Sequence, residues 1–222
     1  LNSYEGLAKS GARAINNSWG SNRKFYKAYE GATGYDGGNN LDIKDLDAAY
    51  KSYYPFVVNG KNFLDAAYEV ATRYGVIQIF TAGNRDGMKE SYTRAMLPYF
   101  RPDAEKYWLN VTGQLEGDTQ RYNTPGHSKW WSIAAPAKPI YSTVVDLKTG
   151  KADYGTKGGT SMAAPHVTGT LGVIMQRYPY MNNAQIREVL LTTARQVHDD
   201  FKEPADTRKI SGFTAALGVP DE

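Results

Sequence analysis

The chain has no cysteine among its 222 residues. That excludes disulfides, thiolate zinc sites and a cysteine nucleophile, and it leaves the compartment open. It also lacks an excess of one charge. Its 26 Lys and Arg are scattered among 23 Asp and Glu, for a net charge of +3. No basic stripe results, so nucleic acid is not an expected partner. No apolar run approaches the roughly 18 residues of a membrane helix, so insertion by this segment is not expected either. No signal peptide, repeat or low-complexity tract is visible. What remains is an ordinary globular balance, 41% hydrophobic and 22% charged, at a length that suits one domain with a real core.

"GARAINNSWG" predicts a short strand over residues 13–17, ending in a turn. Residues 29–42 form a Gly/Asn-rich loop. In "NFLDAAYEVATRYG", Leu64, Ala67, Tyr68 and Ala71 share one helical face, and Gly75 sits where a C-terminal cap belongs. "VIQIF" follows at once and suits a buried strand. Helix, glycine, strand is the alternation of an α/β fold with a mainly parallel sheet. "YWLNVTGQ", "WWSIAAP" and "PIYSTVV" are further strand candidates. "APHVTGTLGVIMQRY" is apolar on nearly every side, as a helix buried in the core would be. "NNAQIREVLLTTARQV" predicts an amphipathic helix capped by Asn182 or Asn183, with Ile186, Val189, Leu190, Ala194 and Val197 on one face.

The stretch with chemistry is "GGTSMAAPHVTG", residues 158–169. Gly158 and Gly159 allow a sharp turn and a close backbone approach. Thr160 is a candidate helix cap, which places Ser161 in the first turn. Unpaired N–H groups and the positive end of the helix dipole favour developing negative charge there. Pro165 is tolerated if it falls among the first four residues, whose N–H groups have no internal partner. Ala163 and Ala164 suit close packing of a helix beneath a site. For a bare "GTS" the plainer reading, a turn and a cap, would prevail.

The longer string "GTSMAAPHVTG" resembles the nucleophile motif of the subtilisin-like serine proteases, the subtilases. The resemblance continues in order along most of the chain. "FTAGN", residues 80–84, resembles the strand end that carries the oxyanion-hole asparagine, here Asn84, with Ala82 and Gly83 beside the substrate. "INNSWG", residues 15–20, resembles the strand that pairs with an extended peptide, so Ser18, Trp19 and Gly20 are expected to line the cleft by β-strand addition. "AAP", residues 134–136, resembles the strand upstream of the nucleophile, with Ala137 where the family usually has glycine. The resemblance implies a three-layer α/β fold, a mainly parallel sheet flanked by helices. The implied activity is that of a serine endopeptidase with Ser161 as nucleophile and Asn84 in the oxyanion hole. The insertions and "WWSIAAPAKPIYST" look most like bacterial surface-associated members, including autotransporter proteases. A secreted or cell-surface location follows from that likeness.

The family's triad runs Asp, His, Ser in chain order. The aspartate and histidine motifs would lie upstream of the substrate strand, and neither occurs here. Residues 1–222 are therefore expected to be the C-terminal part of one peptidase domain, truncated on its N-terminal side. Of the three histidines, His166 falls five residues after Ser161, away from its side of a helix, and is structural in the family's motif. His127 lies in a Pro-Gly loop, and His198 follows a helix. None is expected to be the base, so this chain alone is expected to be inactive. A truncated sheet would leave an edge uncovered, and self-association through it is expected.

The chemistry requires no cofactor. Subtilases often bind structural calcium, and "YDGGNNLDIKDLD", residues 35–47, gathers Asp and Asn residues. The spacing is not that of an EF-hand, and a polar loop before a helix is the stronger reading. No metal ligand is assigned. Two other classes compete with the protease reading. An α/β-hydrolase-type esterase needs G-x-S-x-G with Asp and His downstream, but residue 163 is Ala. A non-catalytic pseudoprotease or binding module is opposed by intact Ser161 and Asn84.

Overall fold

A computed structural model of the chain describes residues 2–19, 60–85, 90–115 and 120–195. Gly20, the loop at 29–42, the Asp-rich stretch at 35–47, Val197 and His198 lie outside them. At the centre is a parallel sheet. β1 (Ala14–Asn17), β2 (Ile77–Thr81), β3 (Trp108–Leu115) and β5 (Ser132–Lys138) lie side by side in that order. A two-residue β4 (Gln120–Arg121) pairs antiparallel with the far end of β3. A separate antiparallel hairpin, β6 (Ile140–Val145) and β7 (Ala152–Lys157), leads into the serine motif.

β2 is buried along its whole length because both sheet faces are covered there. Ile77 and Ile79 of β2, with Leu109 and Val111 of β3, pack against α4 (Thr160–Arg177) and α5 (Asn183–Thr192). Phe80 and Trp108 point the other way, toward Leu64, Ala67 and Ala71 of α2 (Phe63–Tyr74). Their rings stack with centroids 4.9 Å apart. The layering is helix, sheet, helix, as the resemblance implies. On the α2 side, α1 (Asn2–Lys9) packs against α2, and short α3 (Leu97–Phe100) is joined to two 3₁₀ turns.

Local chemistry sets the helix ends. Gly75 closes α2 in the left-handed conformation at φ 66°. Asn62 opens it with a capping box. Its side chain accepts from the Leu64 and Asp65 N–H groups at 2.8 and 3.0 Å, and Asp65 accepts from the Asn62 N–H at 2.9 Å. Asn62 is itself buried. Asn62→Ala is expected to cost about 1–2 kcal/mol in urea unfolding, because two N–H groups lose their acceptor.

Two helix expectations need correcting. α4 is not buried all round. Ala163, Ala164, Val167 and Leu171 face the sheet, while Gly169, Thr170, Gly172 and Val173 are exposed. Its small residues give apolarity without a stripe, so sequence alone could not show which side the sheet covers. α5 stops at Thr192, short of Ala194, which is exposed. The Thr192 and Thr193 hydroxyls donate back to the Glu188 and Val189 carbonyls, competing with helix continuation. Arg187 on α5 is buried, donating from Nε to the Trp108 carbonyl at 2.8 Å. Burial pulls its guanidinium down to about 10, opposed by Glu105 and Glu188.

Candidate active site

The serine motif sits where β7 hands over to α4. Gly159, at φ 141°, makes the turn, and Ser161 is the second residue of α4. Thr160 does not cap the helix as expected, because it is already helical and Gly159 precedes it without a side-chain cap. The cap comes from across the sheet. Asn84 Oδ1 accepts from both the Thr160 N–H and the Thr160 hydroxyl, each at 2.8 Å. A backbone N–H can only donate, so this pair fixes which end of the Asn84 amide is oxygen. Nδ2 is left as the outward donor. Asn84 is exposed, and its Nδ2 donates to no described residue.

Pro165 also differs from expectation. The helix starts at Thr160, so Pro165 lies inside it, beyond the four residues with unbonded N–H groups. The carbonyl four residues before it, that of Ser161, loses its helical partner. The Met162 and Ala163 N–H groups bond to the Gly159 carbonyl. The Ser161 N–H, like the Asn84 Nδ2, is a donor without a helical acceptor. Asn84 and Ser161 are thus tied together through Thr160.

A groove of about 390 Å³ opens beside Ser161. Met162, Pro165 and His166 of α4 line it with Tyr141, Thr143 and Lys157 of the hairpin. His166 shares this groove with Ser161, although the five-residue spacing suggested the opposite side. Its Nδ1–H donates to the Met162 carbonyl at 2.8 Å, not to the serine. His127 does not line the groove. Its ring and its N–H both engage the buried carboxylate of Glu90. Among the described residues, neither histidine bonds to Ser161.

The strand expected to meet substrate is β1 with the residues after it. Trp19 is 40% exposed. It packs edge-on against Phe63 and Phe80, at 4.9 and 6.1 Å between centroids. Its Nε1–H donates to Asn17 Oδ1 at 3.2 Å. Ser18 exchanges hydrogen bonds with the Asn16 side chain. Ala82 and Gly83, expected beside the substrate, are buried. Ala82 donates to the Val111 carbonyl and accepts from the Tyr92 N–H.

Tyr4 of α1 also donates to Asn17 Oδ1, at 2.5 Å, and so ties α1 to the same strand. Burial pushes its phenol well above the ordinary value of about 10, with Arg94 pulling partly back. The unfolded chain releases that proton near pH 10, while the folded chain keeps it. The folded state therefore binds more protons above pH 10, and stability falls as pH rises beyond that point. Tyr4→Phe is expected to flatten this alkaline fall in urea titrations between about pH 10 and 11.5. Tyr92, also raised by burial, supplies part of what remains.

Sequence reasoning missed the residues that hold the Asn84 turn. Asn123, fully buried, donates its N–H to the Gly83 carbonyl at 3.4 Å and accepts from the Arg85 N–H at 2.8 Å. No pattern in the polar segment around Asn123 signals this.

This geometry agrees with comparison to known proteins. The family model of the subtilases matches residues 1–214. The chain belongs to the subtilase family. It is 31% identical over 226 residues to an extracellular serine protease of Serratia marcescens, covering 87% of this chain and 22% of that protein. It is 27% identical to the autotransporter lipoprotein NalP of Neisseria meningitidis, covering 88% of this chain and 19% of that one. The chain thus spans about a fifth of the length of these relatives. Among solved structures, the prenylagaramide maturation protease PagA superposes with a TM-score of 0.55 at 19% identity. That match covers 91% of this chain and 59% of that one. It shows the same three-layer α/β fold.

Proposed function

We propose that this chain is the nucleophile-bearing part of a serine endopeptidase. Ser161 Oγ attacks the scissile carbonyl of an extended peptide lying along residues 18–20. Its proton passes to a base, the negative charge builds on the carbonyl oxygen, and the C–N bond then breaks as the amine takes the proton. The Ser161 N–H and Asn84 Nδ2 receive the oxyanion. The observation that carries this reading is the pair of hydrogen bonds from Thr160 to Asn84 Oδ1, which ties Asn84 to the residue before the serine and leaves the amide's donor end uncommitted to that contact. Family membership supports the reaction type.

Neither of the two described histidines serves as the base. What supports this is that His127 is committed to Glu90 and His166 to Met162. Without a base the hydroxyl is nearly inert, so this chain alone has no useful activity. The extracellular and autotransporter relatives support a secreted or cell-surface setting. No helix among the described residues is long and apolar enough to cross a membrane. β1 is an edge strand among the described ones, which supports self-association through it. A monomer at high concentration in analytical ultracentrifugation would count against that.

A fluorophosphonate probe tests the main reading. The chain alone should not label, and the protein carrying the base should label at Ser161. If neither form labels, the protein is no active serine hydrolase. If the chain alone labels fully, the base lies within residues 1–222.

A further inference from the structure

We propose that Asn123 is a positioning residue that acts through Asn84, holding the turn from which the oxyanion donor projects. The inference rests on the oxyanion reading of Asn84. Three hydrogen bonds carry it. The Asn123 backbone N–H takes the Gly83 carbonyl, and Asn123 Oδ1 takes the Arg85 N–H. These contacts fall on either side of Asn84 and leave its side chain free to project. The third bond, from Asn123 Nδ2 to the Glu90 carbonyl at 2.7 Å, anchors the clamp itself.

The anchor is rigid in its own right. The segment around Asn123 is stitched to residues 90–91 at three more points. The Ser91 hydroxyl lies within reach of the Thr124 and Pro125 carbonyls, at 3.1 and 3.3 Å. The Ser91 and Ser128 hydroxyls meet around Asn110 on β3. Glu90 holds His127 by ring and backbone. The preceding residue, Tyr122, adopts φ 71°, the only described non-glycine residue in that region. A non-glycine residue persists there only when its surroundings over-determine it. The clamp is therefore built on the sheet, and Asn84 inherits its position from it. Loss of the clamp lets the turn drift, and an error of about 1 Å in a catalytic group costs on the order of 10²-fold.

A merely structural buried asparagine would behave differently, and a double-mutant cycle separates the two. In the catalytically complete protein, Asn123→Ala should lower kcat about 10–100-fold with KM nearly unchanged. In an Asn84→Ala background the same change should lower kcat less than about twofold. If Asn84→Ala alone leaves kcat intact, the oxyanion reading fails and this inference goes with it. If Asn84→Ala lowers kcat but Asn123→Ala costs the same in both backgrounds, or nothing, the inference is overturned and the reading stands. Amide hydrogen exchange gives a readout independent of turnover. The Thr160 N–H touches Asn84, not Asn123, so Asn123→Ala should speed its exchange while leaving Ile79 protected. Unchanged Thr160 exchange would overturn the clamp. If the alanine variant does not fold, Asn123→Asp, which keeps the acceptor for Arg85, runs the same cycle.

Discussion

Ser161→Ala, in the protein complete with its base, is expected to lower kcat by about a millionfold and to leave KM and folding intact. The size is the one established for subtilisin itself, where triad members act as a unit. The absence of a folding cost follows from this structure. Ser161 is half-buried, and its hydroxyl makes no hydrogen bond to a described residue. The start of α4 is secured by Asn84 through Thr160, not by Ser161. Alanine also favours a helix more than serine does. On the proposed oxyanion reading, a residual acceleration on the order of 10³–10⁴ over water should survive, because the backbone N–H of residue 161 and Asn84 Nδ2 both remain. Steady-state kinetics on a peptide substrate decides it. A loss smaller than tenfold would place the nucleophile elsewhere.

The parts of the molecule legible in the sequence are those set by neighbours along the chain. β2 read as a strand because a short run, apolar or β-branched except at Gln78, follows a glycine-closed helix, and both its faces are indeed covered. Gly75 read as a cap, and Asn182 as one of two candidate caps, because capping is decided within four residues. The serine motif was recognisable for the same reason. What escaped was settled across distance. The sequence around Thr160 permits it to cap, yet the cap acceptor belongs to Asn84, 76 residues away. The same crossing contact starts the helix at Thr160 and so moves Pro165 inside it. The exposed side of α4 was illegible because Gly169, Gly172 and Val173 carry no periodic signal. Asn123 was illegible because an isolated asparagine in a polar segment is ordinary until its three partners are seen.

Gly83→Ala is expected to destabilise the fold by about 2–6 kcal/mol and to cost activity as well, the sum of backbone strain and overpacking. Gly83 has φ 123°, a conformation L side chains rarely adopt. A Cβ there would stand 2.7 Å from Asn123 Oδ1 and 2.8 Å from Tyr92 Cζ. Neither neighbour can yield cheaply. Asn123 is buried and committed to Gly83, Arg85 and Glu90. Tyr92 donates its N–H to the Ala82 carbonyl at 2.8 Å, and the Arg94 guanidinium lies over its ring at 4.3 Å. Gly75 supplies the control. Its φ is also positive, at 66°, but the nearest atom to a Cβ there is 3.6 Å away, an ordinary contact. Gly75→Ala should therefore cost only about 1 kcal/mol. Urea unfolding of the two variants side by side measures the difference. If Gly83→Ala costs no more than Gly75→Ala, the turn can relax, and a rigid seat for Asn84 cannot be the source of its alignment with Ser161.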